Sequence, residues 1–151
     1  MATLKDVLTT DMRTALKARD EMTTSTLRMA LAAIGNAEVA GKEKRELSDD
    51  EILAVLTREA KKRREAATAF ADAGRAEQAA KEIAEGEVLD RYLPKQLSDD
   101  DLAEIVSGAL SSGSFTGKAQ MGPAMKAAQA AVAGRAEGGR VAAEVRRQLG
   151  V

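Results

Sequence analysis

The sequence predicts an all-α fold, and three observations carry that prediction. Apolar residues recur at helical spacing along the chain, and no segment of any length alternates in the manner of a strand. Hydroxyl residues followed three positions later by an acid, at Thr3/Asp6, Ser48/Glu51 and Ser98/Asp101, mark helix starts. Alanine supplies much of the 44% apolar content, while aromatics make up only 2%. The core must therefore be built of Leu, Ile, Val, Met and Ala. Alanine is the strongest helix former, and small side chains let helices approach closely.

The first helix is expected from about residue 3 to residue 18, with Leu4, Val7, Leu8, Met12, Ala15 and Leu16 at helical spacing. The second runs from about Glu21 to Val39. Leu27, Leu31 and Ile34 form its stripe with Ala30 and Ala37 beside it, and Gly41 can take the left-handed position past its end. "GKEKREL" follows as a charged loop. The third start is the clearest. Ser48 is the N-cap, Glu51 reciprocates, and Asp49 and Asp50 suit the positive end of the helix dipole. Its apolar face is Ile52, Leu53, Leu56, Ala60, Ala67 and Phe70, ending near Ala73 before Gly74.

The fourth helix, roughly Ala76 to Tyr92, presents Ala80, Ile83, Val88, Leu89 and Tyr92. Gly86 interrupts it at a cost of about 1 kcal/mol against alanine. Pro94 ends it, because proline disfavours helical geometry in the residue before it. After Ser98, Leu102, Ile105, Val106, Ala109 and Leu110 make a fifth helix, and "SSGSFTG" is a loop. A sixth runs from near Lys118 to Val132, with Pro123 best placed in its first turn. "GRAEGG" breaks it, and Val141, Val145 and Leu149 stripe the last. The expected organisation is an N-terminal domain of about four helices, residues 1–93, and a three-helix C-terminal tail domain, residues 94–151. "LPKQLSDD" is the hinge between them.

The absences narrow the chemistry. The 151 residues contain no cysteine and no histidine. That excludes disulfides, thiolate or imidazole metal sites, a cysteine nucleophile and Ser-His-Asp catalysis. No cofactor and no metal site is expected. The acidic run Asp99–Asp101 reads as helix capping rather than a metal site. No apolar run approaches the ~20 residues that span a bilayer. Residues 1–13 carry Asp6 and Asp11 and lack the apolar core of a secretory signal. A soluble cytoplasmic protein without membrane contact, monomeric rather than oligomeric, is the expectation.

Net charge is −1, but it is unevenly spread. Residues 1–93 hold 16 basic and 18 acidic side chains, net −2, whereas residues 112–151 hold 6 and 2, net +4. The tail cations are Lys118, Lys126, Arg135, Arg140, Arg146 and Arg147. "GRAEGGR" sets two arginines beside a turn at the start of the last helix, where free backbone N–H groups suit a phosphate. The other reading is a helix connection with solubilising arginines. A second basic cluster lies in "REAKKRRE", where Arg58, Lys61 and Lys62 share one helix face. It reads either as a solvated face laced with Glu59 and Glu65 or as a contact for phosphate or an acidic partner. "GSFTGKA" is not a phosphate loop: it lacks the four-residue gap and the hydroxyl after the lysine, and no strand precedes it.

Three stretches carry a resemblance. "KKRREAATAFADAGRAEQAAKEIAEGEVLDRYLPKQLSDDDL" resembles the core signature of YqeY-like proteins, and "MGPAMKAAQAAVAGRAEGGRVAAEVRRQL" their C-terminal signature. "LTTDMRTALKARDEMTTSTLRMALAAI" fits their opening helices. Together they cover nearly the whole chain. The resemblance implies a relative of the C-terminal module of GatB, the subunit of tRNA-dependent amidotransferase that grips tRNA while amidation proceeds in a separate catalytic part. This chain has no room for such a part, so the family's carbon–nitrogen ligase label looks inherited by name. The C-terminal motif falls on Met121, Gly122, Met125, Lys126, Gly134, Arg135, Gly138, Val141 and Val145. Pro123, Gly139 and Arg140 depart from positions that are often lysine-rich in the family.

Within that motif Met121, Met125, Val141 and Val145 are expected in the core. Lys126, Arg135, Arg140 and Arg146 are the expected RNA contacts, with Arg58, Lys61 and Lys62 as a secondary basic patch. Three functions follow. The first is a stand-alone module that binds tRNA or a tRNA-processing complex and is not itself catalytic. With so few aromatics it would read shape and phosphates rather than stacked bases. The second is a protein–protein adaptor on a tRNA enzyme. The third is an amidotransferase with glutamine as donor, for which no catalytic constellation is visible.

Overall fold

A computed structural model describes residues 2–151, and among these every regular element is helical. The α-helices are α1 (Leu4–Lys17), α2 (Glu21–Glu38), α3 (Asp49–Asp72), α4 (Ala76–Asp90), α5 (Asp99–Ser112), α6 (Met121–Val132) and α7 (Gly138–Leu149). A 3₁₀ turn, Lys118–Gln120, leads into α6. Packing divides the chain into two compact units, one running through Leu93 and the other Pro94–Val151.

The starts form as the hydroxyl–acid spacing requires. Asp6 N–H donates to Thr3 Oγ1 at 3.1 Å, and Thr3 N–H donates back to Asp6 Oδ2 at 3.0 Å. Ser48 and Glu51 repeat the exchange at 3.2 and 2.9 Å. Asp101 N–H donates to Ser98 Oγ at 3.2 Å. The returned backbone bond holds the Asp6 and Glu51 carboxyls below their ordinary range. A carboxyl lowered in the folded state contributes stability above its unfolded pKa and loses it as pH falls through the folded one. Urea midpoints should therefore drop between pH 5 and pH 3, by less in an Asp6→Asn plus Glu51→Gln variant. An equal drop in both proteins would show that the caps are not responsible.

The first unit buries Leu8, Leu27, Ala30, Ile34, Ile52, Val55, Leu56, Ala60, Val88 and Leu89 in one core. Several expected core positions lie outside it. Val7 is 38% exposed and Leu16 52%, because α1 packs a narrow stripe centred on Leu8 and Ala15. On α4, Ile83 is 54% exposed and Ala80 is exposed, while Ala79, Glu85 and Gly86 turn inward. The cause is Arg63 on α3. Its Nη1 lies 3.2 Å from Glu82 Oε2 and 3.3 Å from Glu85 Oε2, which draws the polar side of α4 against α3.

Gly86 lies at that approach but is not required by it. A Cβ there would meet Arg63 Cβ at 3.6 Å, ordinary van der Waals contact. Gly86→Ala therefore fits and removes a helix-interior glycine. It should stabilise this unit by about 0.5–1 kcal/mol, read as a raised thermal midpoint. A lowered midpoint would mean that α3 and α4 are closer than a methyl group allows.

Helix ends depart from expectation in one place. Gly41 does not take a left-handed conformation. α2 stops at Glu38 with Val39 at φ −108°, and the loop folds back so that Arg45 N–H reaches Glu38 C=O at 3.0 Å. After α5 the left-handed residue is Ser114, at φ 53°, rather than its glycine neighbour. Gly113 serves a different need, since a Cβ there would lie 2.1 Å from the Phe115 ring.

The second unit has its own core of Leu102, Val106, Leu110, Ala124, Ala128, Val132, Ala136, Val141 and Val145. Met121 and Met125 pack against it half-buried. Pro123 sits in the first turn of α6, where its missing N–H leaves no helical bond unmade. Among the described residues no helix is long and apolar enough to cross a membrane.

Candidate nucleic-acid interface

The "GRAEGGR" segment joins α6 to α7, and its two arginines are tied into the fold. α6 ends with Ala133 at φ 52° and Gly134 at φ 77°, exposing its last carbonyls. Arg135 turns back on them: Nε donates to Val132 C=O at 2.9 Å and Nη2 to Ala131 C=O at 3.0 Å. A cation on the carbonyl end of a helix is favourable for the dipole as well as for the hydrogen bonds. The backbone of Arg135 accepts from Leu97 N–H at 2.7 Å.

Arg140, in the first turn of α7, completes the clasp. Its Nη2 donates to Leu97 C=O at 2.9 Å and to Asp99 Oδ1 at 3.0 Å. Leu97 thus has both its N–H and its C=O satisfied by the turn, which joins "LPKQLS" to "GRAEGGR" in space. Neither arginine is a bystander. Their replacement would release a helix cap and the Leu97 clasp, so the pair is not a fold-neutral probe of binding.

Lys126 and Arg146 are different. Both are exposed, and their side chains make no ion pair or hydrogen bond to another described residue. Lys126 stands two residues from Ala124 and Ala128, opposite the buried edge of α6. Arg146 follows buried Val145 on α7. Lys118 is likewise exposed and unpaired. Arg147 instead binds Glu144 through Nε and Nη2, and that acid also accepts from Gln148. Together these bonds hold the Glu144 carboxyl below its usual range. Four proposed contacts therefore separate into two with fold-internal partners and two with none.

The secondary patch on α3 is largely paired within the first unit. Lys62 Nζ lies 3.2 Å from Glu59 and Lys61 Nζ 4.0 Å from Glu65. Arg58 is exposed and unpaired. Exposed pairs of this kind contribute about 0–1 kcal/mol each, so they do not prevent the lysines from exchanging partners. Sequence reasoning missed the roles of Arg63, Tyr92 and Leu97. The partners of the first, Glu82 and Glu85, come from another helix, so its own segment carried no signal. Tyr92, whose hydroxyl donates to Asp11 Oδ2 at 2.6 Å across 81 positions, left none.

The family model of Yqey-like proteins matches residues 5–149. This chain belongs to the YqeY-like family. The match extends across both units and takes in the clasp between the two signature stretches. No curated protein matches the chain. As a YqeY-type helical module it carries its unpaired tail cations on a unit whose turn arginines are already engaged.

Proposed function

We propose that this YqeY-like chain is a stand-alone module that binds structured RNA of the tRNA class and performs no amidation itself. The observation that supports it is the tail charge: residues 112–151 carry net +4, and the side chains of Lys118, Lys126 and Arg146 have no partner among the described residues. Arg135 and Arg140 act mainly as positioning residues in this reading. They fix the turn and the first turn of α7, whose free N–H groups add positive potential. The family resemblance to the tRNA-gripping part of GatB points to the same class of ligand. With one tyrosine, two phenylalanines and no tryptophan, recognition rests on phosphates and shape rather than base stacking.

Each phosphate contact removed lowers the slope of log affinity against log salt by about 0.7–0.9. Lys126→Ala plus Arg146→Ala should therefore flatten the slope by roughly 1.5 and weaken all tRNAs alike. Filter binding at several salt concentrations measures it, with circular dichroism to show an unchanged fold. An unchanged slope in the double variant removes these two side chains from the interface.

A second reading is an adaptor that docks on a tRNA enzyme. It is favoured by a groove in the second unit lined by Ile105, Ala109, Phe115, Ala127 and Ala131. Salt separates the two, because docking on an apolar groove lacks the steep dependence of phosphate contacts.

A further inference from the structure

The two cores of the chain stop on either side of a very short segment. Tyr92 and Leu93 pack against the core of the first unit, and Leu97 against the core of the second. Between them lie Pro94, Lys95 and Gln96. Lys95 and Gln96 are exposed, and neither backbone N–H has a partner among the described residues. Pro94 has no N–H to give, and its ring fixes its own φ and favours an extended residue before it. A bond from Gln96 Nε2 to Pro94 C=O at 3.4 Å stays within the segment.

Each end of this segment is also held by directional bonds. At the first end the Tyr92 hydroxyl donates to Asp11 Oδ2 at 2.6 Å, reaching back to α1. A hydrogen bond to a carboxylate is among the stronger kinds. Burial, then the bond to Asp11, push the Tyr92 hydroxyl above its ordinary pKa, so it stays protonated and able to donate. At the other end Leu97 is held twice. Its N–H donates to Arg135 C=O at 2.7 Å, and its C=O accepts from Arg140 Nη2 at 2.9 Å.

We propose that residues 94–96 are a hinge of fixed length, and that the Tyr92–Asp11 bond and the Leu97 clasp are the latches that set it. α4 ends at Asp90 and α5 begins at Asp99, so without the latches the free link would be residues 91–98, eight rather than three. The chance of finding one end of a flexible link near the other falls as about the −3/2 power of its length. Three residues against eight therefore raise the effective concentration of one unit near the other by about fourfold, provided the shorter link still spans the contacts in question. Any partner that engages both units gains by that factor. Neither latch uses Lys118, Lys126 or Arg146, the free cations of the tail, so the hinge stands apart from RNA binding.

Amide hydrogen exchange of the full chain tests the hinge. In the parent, Tyr92, Leu93 and Leu97 should exchange at least about tenfold more slowly than Lys95 and Gln96. Tyr92→Phe keeps the ring in the core and removes only the hydroxyl. It should speed exchange at positions 92 and 93 by about tenfold or more, beyond any change at Val88. Arg140→Gln should do the same at Leu97, beyond any change at Val106. If Arg140→Gln unfolds the tail, seen as lost protection at Val106, the parent profile and Tyr92→Phe decide alone. The proposal is overturned if Lys95 and Gln96 are as protected as their neighbours, if Tyr92 or Leu97 is as unprotected as they are, or if a folded latch variant leaves exchange unchanged at its own latch.

Discussion

Leu56→Ala lowers the stability of the first unit by about 2–5 kcal/mol, the range for emptying a fully packed leucine site. Leu56 is 0% exposed and shares its core with Leu8, Leu27, Ile34, Ile52 and Val88. These residues come from α1, α2, α3 and α4, so Leu56 belongs to a core that all four helices share. Relaxation into it is limited, because those helices have few large side chains to spare. The chain's single tyrosine, Tyr92, lies in this unit and there is no tryptophan. Tyrosine fluorescence therefore reports its unfolding selectively. A urea midpoint equal to the parent's, with the same slope, would mean that Leu56 does not hold this core together.

Arg63→Ala should cost about 3–5 kcal/mol, for a different reason. It strands Glu85, which is 4% exposed, without its nearest cation. Lys81 Nζ is 3.9 Å from Glu85 Oε1, but its side chain is 71% exposed and cannot follow the acid inward. Glu82, also drawn in by Arg63, loses its partner as well. Arg63→Met combined with Glu85→Leu should recover most of the loss, since apolar groups of similar size replace a buried pair at little cost. The same fluorescence unfolding curves decide. An Arg63→Ala protein as stable as the parent would show that water reaches Glu85 freely.

These two residues mark where the sequence was readable and where it was not. Leu56 sits mid-stripe on a helix whose start is declared by Ser48 and Glu51, so its burial follows from period and cap alone. The other helix positions were legible to within a few residues at each end, α4, α6 and α7 from period and breakers without a side-chain cap. Arg63 sits in a run of cations and reads as surface. Its inward role depends on Glu82 and Glu85 arriving from another helix, and no periodicity within "REAKKRRE" announces that. Ile83 was misplaced for the same reason, because a charged contact rather than an apolar one sets the inward face of α4.

The candidate interface was legible in its charge but not in its division of labour. Arg135, Arg140, Lys126 and Arg146 are equivalent as letters. Only the left-handed end of α6 and the path of Leu97 distinguish the two that bond backbone carbonyls from the two that do not. Glu137 lies between the two arginines in sequence, but the acid that Arg140 bonds is Asp99, 41 positions away.

The central claim is that this YqeY-like module binds structured RNA through the free cations of its tail. Equilibrium binding of the unaltered chain to tRNA between about 50 and 200 mM salt tests it most directly. The account predicts salt-sensitive binding, with log affinity falling linearly against log salt and a slope of at least about −2, as three phosphate contacts require. No salt-sensitive binding even near 50 mM would contradict it and leave the adaptor reading in its place.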